Sequence, residues 1–235
     1  MNMKKYLVIT AITGGKDKLL DPPVVFDNCD YIAFVDKKQD GVNVWEQREV
    51  LKFSSIDNLF NRRNAKPYKI LSSIMFPQYE YIIWEDGNHQ LKKDPDLIIE
   101  EYGSDVDFLL FKHPDRKCLY QEMNAVVQWQ LDYPNNIENQ FRLYKSLNMP
   151  EQYGLFEMST FIVKTTDAVK ELQLMWWEQI CRFSSRDQIS LPFCLWRMGD
   201  KIKKKRLKGF ANLFSMDGEN KGNEYFEDQG RHAKY

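Results

Sequence analysis

The 235-residue chain has no excess of charge of either sign: 33 basic and 34 acidic side chains leave a formal net charge of −1. Bulk charge therefore argues neither for nor against a nucleic-acid or membrane partner, and any such case must rest on local patches. No apolar run reaches the length of a bilayer core, so no membrane span is expected. The apolar part of the opening "MNMKKYLVIT" is too short for a secretory signal and reads instead as the first strand. Cysteine is sparse. Cys29, Cys118, Cys181 and Cys194 lie far apart without C-x-x-C spacing, so buried free thiols in a reducing, cytoplasmic setting are expected. Internal repeats are absent, and so are the G-x-G-x-x-G and P-loop signatures of the standard dinucleotide and nucleoside-triphosphate folds.

What is present suffices for one large domain: 43% of residues are hydrophobic and 14% aromatic. "KYLVIT" (5–10), "YIAFV" (31–35), "YIIW" (81–84), "DFLLFK" (107–112) and "MSTFIV" (158–163) read as strands. "NAKPYKILSSIM" (64–75) reads as a helix that Pro77 stops. "TTDAVKELQLMWWEQICRF" reads as a long helix capped by Thr166 or Asp167, with Val169, Leu172, Trp176 and Ile180 on one apolar face. Strands alternating with helices predict an α/β fold with a mostly parallel sheet. From Ser215 the chain turns polar and glycine-rich, so residues 1–214 are expected to form the domain and 215–235 a tail or lid.

Ligands of such sheets collect at the carboxyl ends of the strands. The first strand is followed by "AITGGKD", the second by Asp36, the third by "EDGNH" (85–89), and "DFLLFK" by His113, Asp115 and Arg116. Four successive strand ends carrying such groups look like a site. Asp86-Gly87-Asn88 places two oxygen donors one residue apart on a tight turn, a pattern that suits a hard cation such as Mn²⁺ or Mg²⁺.

Six blocks in order, "VITAITGGKDKL", "YIAFVDK", "RRNAKPYKIL", "FPQYEYIIWEDGN", "KHPDRKCLYQE" and "FSSRDQISLPF", resemble the TOD/MUCI-type glycosyltransferase-like domain family. The resemblance runs from about Tyr6 to Phe193 and implies the GT-A fold, a Rossmann-like sheet that binds a nucleotide-sugar, usually with a D-x-D metal site. It implies that Thr10, Ala11, Thr13 and Asp36 hold the nucleoside. Arg63 and Lys66, with Lys69 in the same basic block, would reach the diphosphate. Asp86 and Asn88 would be the metal pair, Asp86 being catalytic through that metal, and Glu85 beside them would contact the donor. His113 and Arg116 would line the donor site, followed by Gln188, with Asp187 as catalytic base or as the cap of the following helix. A histidine from the tail, His232, would complete the metal shell. The chain departs from the family pattern in having D-x-N rather than D-x-D, and Ser72-Ser73 where Pro-His is expected.

The expected function is thus a metal-dependent glycosyltransferase with a UDP-type donor and a glycan or modified nucleic acid as acceptor. Its rival is a carbohydrate- or nucleic-acid-binding protein on a catalytically dead GT-A scaffold, which the weakened D-x-N motivates. A nucleotidyltransferase is a further alternative, of whose phosphate loop "TGGKDK" is a poor copy. "KIKKKRLKGF" (201–210), with six basic residues in its first eight, could contact a polyanion but reads better as a lysine-guarded edge strand.

Overall fold

In the computed structural model, residues 4–52, 61–211 and 213–216 are described. In chain order the elements are β1 (Tyr6–Ile12), β2 (Cys29–Val35), β3 (Glu46–Glu49), α1 (Asn61–Ile70), α2 (Ser72–Met75), β4 (Tyr81–Glu85), β5 (His89–Leu91) and α3 (Pro95–Tyr102). There follow β6 (Phe108–Lys112), α4 (Leu119–Gln128), α5 (Pro134–Ser146), β7 (Phe156–Lys164), α6 (Asp167–Arg182), α7 (Asp187–Met198), β8 (Lys204–Leu207) and β9 (Phe214–Met216).

Seven strands form one sheet in the order β3-β2-β1-β4-β7-β6-β8. Every neighbouring pair is parallel except those made by β7, which runs antiparallel to both β4 and β6. The α/β class and the mostly parallel sheet are as expected. Alternate residues of the central strands enter two cores. Leu7, Ile9, Ile82 and Trp84 join the helical layer on one face, while Tyr6, Val8, Tyr81 and Ile83 pack on the other. Burial on both faces explains why these strands read as continuous apolar runs.

The long helix begins where expected: Thr166 accepts from the Val169 N–H, and Val169, Leu172, Trp176 and Ile180 are all buried. The helix expected over 64–75 is instead two, broken at Leu71. Ser72 and Ser73 are buried there, and Gln173 of α6 donates to both hydroxyls while accepting from the Ser73 N–H at 3.1 Å. The serine pair thus docks α2 on α6.

The basic run is the bland alternative: β8 is the sheet's edge strand. Among the thiols, Cys29, Cys118 and Cys194 are buried, but Cys181 is exposed, which corrects the expectation for that residue. Residues 214–216 form β9, paired antiparallel with β5, so regular structure continues past 214. The remainder of the expected tail, His232 included, lies outside the described residues. Among the described residues, no helix is long and apolar enough to cross a membrane.

Candidate active site at the carboxyl edge of the sheet

β4 ends at Glu85, and the chain turns at once: the His89 N–H donates to the Asp86 carbonyl at 2.8 Å. The antiparallel β7 steadies this turn, because the Asp86 N–H donates to the Ser159 carbonyl at 2.7 Å. Buried Glu85 closes it from the other side by accepting from the Leu91 N–H at 2.8 Å. Glu85 is therefore committed to the turn. Gly87 sits against β1, where an added Cβ would lie 2.8 Å from Ile12 Cγ1 and Cδ1 and 3.1 Å from Asp17 Cβ. We expect Gly87→Ala to cost about 1–3 kcal/mol through overpacking. It should also weaken donor binding by displacing Asp86; an unchanged melting curve would refute the close packing.

Asp86 is where the site begins. Its Oδ1 accepts from Trp84 Nε1 at 2.8 Å and from Lys69 Nζ at 3.2 Å. Lys69 also lies 2.8 Å from Asp187 Oδ2, and the same oxygen accepts from Lys66 Nζ at 2.8 Å. Lys66 and Lys69 stand three residues apart on one face of α1, and Asp187, the first residue of α7, meets both. The side chains of Lys69 and Asp187 are only 4% and 6% exposed and that of Lys66 13%, whereas Asp86 is 42% exposed, so the charges balance in a row that is buried at its centre and reaches solvent at Asp86.

These contacts set the protonation states. Burial alone would raise the Asp187 pKa, but Lys66 and Lys69 outweigh it and hold the carboxyl well below the usual range. Burial pulls Lys66 down to about 8 despite Asp187. For Lys69 the two carboxylates outweigh burial and raise it. A carboxylate held so low by two ammonium groups is a poor proton acceptor, so the base role expected of Asp187 does not suit this arrangement. Nor is Asp187 the cap of α7. That position is Arg186, with no side-chain cap, and Asp187 Oδ1 accepts only from the neighbouring Gln188 N–H at 3.2 Å.

Lys16 and Asp17 of the loop after β1 lie near enough to Asp86, and Lys16 also to Arg62 of α1 and Arg186 before α7, for their charges to interact. Burial, then repulsion from Arg62 and Arg186, lower the Lys16 pKa. Burial, then the charge of Asp86, raise that of Asp17. Lys16, Asp17, Lys69 and Arg186 are the groups that sequence reasoning missed or ranked too low. The spacing of Lys66 and Lys69 and the "RDQ" start of α7 were the available signals.

The other expected residues are placed as follows. Thr10 and Thr13 are buried at the end of β1, the Thr10 hydroxyl without a hydrogen-bond partner, and Ala11 between them is half-buried. Asp36 accepts from the Gly14 N–H at 2.5 Å, so it holds the glycine turn. Arg63 faces away from Lys66: its two terminal nitrogens donate to the Ile180 and Phe183 carbonyls at 2.7 and 2.6 Å. It caps the carboxyl end of α6, whose open carbonyls draw it there, and this corrects the expected phosphate contact. His113 Nδ1 accepts from the Asp115 and Arg116 N–H groups, fixing the loop after β6. Arg116 Nε bonds buried Glu122 at 2.6 Å, and its guanidinium lies 5.1 Å from the Trp129 ring centroid. Gln188 Oε1 accepts from Arg186 at 2.9 Å.

Asn88 Oδ1 lies 2.8 Å from His89 Nδ1, and burial keeps that imidazole neutral. A carboxamide oxygen only accepts, so Nδ1 is the donating nitrogen, and Nε2 is buried without a hydrogen-bond partner. Asp86 Oδ1 and Asn88 Oδ1 therefore already accept hydrogen bonds, which leaves Asp86 Oδ2 as the carboxylate oxygen the D-x-N pair could offer, too few donors for a hard cation that takes about six or more oxygens. No group of three His, Cys, Asp or Glu suited to a metal occurs among the described residues. As they stand, these donors do not fit Mn²⁺ or Mg²⁺.

The family described as "TOD1/MUCI70, glycosyltransferase-like domain" matches residues 1–217. The chain belongs to this family. The mostly parallel seven-stranded sheet with flanking helices accords with the GT-A fold that the resemblance implies. A curated relative from Arabidopsis thaliana, "Probable hexosyltransferase MUCI70", is 28% identical over 141 residues, 55% of this chain and 24% of that protein. The chain thus matches about a quarter of that relative's length. Among solved structures, a glycosyltransferase involved in glycosylation of the major capsid of PBCV-1 has a TM-score of 0.45 at 9% identity, covering 90% of this chain and 92% of its own. The apo structure of the bifunctional enzyme WbbM has a TM-score of 0.48 at 11% identity, covering 88% and 39%. Neither score carries an argument about the site.

Proposed function

We propose that the chain is a glycosyltransferase that moves a hexosyl group from a nucleotide-sugar, of UDP type, to a hydroxyl of a glycan acceptor. The observation that carries this reading is the row Lys66–Asp187–Lys69–Asp86, buried at Asp187 and Lys69 and open to solvent at Asp86, at the carboxyl edge of the sheet in a chain of this family. In the transfer, the acceptor oxygen bonds the anomeric carbon as the bond to the diphosphate oxygen breaks. The leaving diphosphate takes the electron pair, and the proton of the acceptor hydroxyl passes to solvent. Lys66, with Lys16 and Arg186 nearby, offsets the diphosphate's charge from fixed positions, so little reorganisation is needed as it develops. The turns after β1 and β4 hold donor and acceptor in line.

The test is incubation of the full chain with a panel of nucleotide-sugars, reading release of free sugar and transfer to oligosaccharides. Turnover of one donor supports the reading. Binding without any release of sugar marks a dead scaffold.

The pKa of Lys66 adds a pH dependence. In the folded protein its ammonium is lost near pH 8 rather than at the usual lysine value of about 10.4. Its contribution to diphosphate binding is therefore present below pH 8 and lost as pH rises through it. We expect nucleoside-diphosphate affinity to fall across pH 7–9 and Lys66→Met to flatten that fall. A profile unchanged by Lys66→Met would remove Lys66 from the phosphate site.

A further inference from the structure

We propose that Lys69 is the resident cation of this site and that the nucleoside diphosphate binds without a divalent metal. The inference rests on the donor reading above and concerns how that donor's charge is met. Four observations carry it. The Lys69 ammonium bridges Asp86 Oδ1 and Asp187 Oδ2 at 3.2 and 2.8 Å, where a metal on Asp86 would have to sit beside it. The lysine is held on three sides: its side chain is 4% exposed, and Nζ lies 5.1 Å from the centroid of the Trp84 ring. The Trp84 N–H donates to the same Asp86 oxygen, and an indole N–H can only donate, so that side of the carboxylate is already filled. Finally, Asn88, the second residue of the D-x-N pair, spends its oxygen on His89.

Asp86 on this account is a positioning anion. With Asp187 it fixes the ammonium in place, and Lys69 neutralises Asp86 where a divalent ion would otherwise do so, leaving the diphosphate to be met by Lys66. Lys66, the more exposed of the two lysines at 13%, faces the ligand directly.

The experiment is calorimetric titration of the full chain with UDP and with GDP, in excess chelator and again in Mn²⁺. We expect one of the two to bind with affinities within about threefold of each other in the two conditions. Lys69→Met should weaken binding at least tenfold in chelator, and Lys69→Arg, which keeps the charge, should restore most of it. Binding confined to Mn²⁺ overturns the resident-cation proposal and leaves the glycosyltransferase reading standing. Binding in neither condition overturns both. The wild-type comparison needs no variant, so the proposal stays testable if Lys69→Met fails to fold.

Discussion

Asp187→Asn should lower stability and donor affinity together, with a stability loss of about 3–5 kcal/mol. For a chain of this length that is a fall in melting temperature of roughly 10 °C. The cause is the buried row: Asp187 Oδ2 meets Lys66 and Lys69 at 2.8 Å each, and its side chain is 6% exposed. Asparagine keeps the shape but leaves two ammonium groups sharing Asp86 alone. Two other roles for this residue make different forecasts. A catalytic base would leave donor affinity and melting temperature intact while transfer fell by about 10². A helix cap would show almost nothing, because asparagine caps as well as aspartate. The acid side of the stability curve gives an independent check. The folded-state pKa of Asp187 is depressed, so its stabilisation is present above the unfolded value of about 3.9 and is lost as pH falls below it. The wild type should lose stability more steeply than Asp187→Asn below about pH 4. Parallel curves would show that Asp187 is not the counter-ion of these lysines.

Much of the scaffold was legible because burial on both faces makes a strand an unbroken apolar run. "YIIW" and "YIAFV" could not be mistaken, and the stripe on α6 survived intact. The direction of β7 was not legible, since strand composition carries no sign. Nor was the break at Leu71, where two serines turn inward to meet Gln173. The D-x-N turn pointed to the right place for a reason only half seen. Its partners come from afar: Lys69 lies 17 residues before Asp86, and Lys66 and Asp187 are separated by 121. Spacing along a helix says which side chains share a face but not which way that face looks. Arg63 and Lys66 lie one turn apart, yet Arg63 reaches the end of α6 while Lys66 reaches the cleft.

The polar turn of residues 85–89 is also held from the far end of the chain, and Phe214→Ala should expose this. β9 pairs with β5 through His89↔Met216, Gln90↔Ser215 and Leu91↔Phe214. The Leu213 carbonyl accepts from the Lys92 N–H at 2.9 Å. Phe214 is fully buried, with its ring edge-on to Phe111 at 6.0 Å between centroids. Phe210, a few residues earlier, packs edge-on against His89 at 4.8 Å. Truncating Phe214 removes a large core side chain at a cost of about 3–5 kcal/mol. It also unpins the strand that carries His89, and through His89 the carboxamide of Asn88. Donor affinity should therefore fall along with the melting temperature. A chain ended after Met216 keeps every one of these contacts, so it should melt and bind donor like the full chain. Loss of binding in that shortened chain, with its melting temperature unchanged, would show that residues 217–235 supply a donor contact and would restore His232 as a candidate. Unchanged binding in Phe214→Ala would show instead that the β5–β9 pair is packing alone, with no hold on the turn.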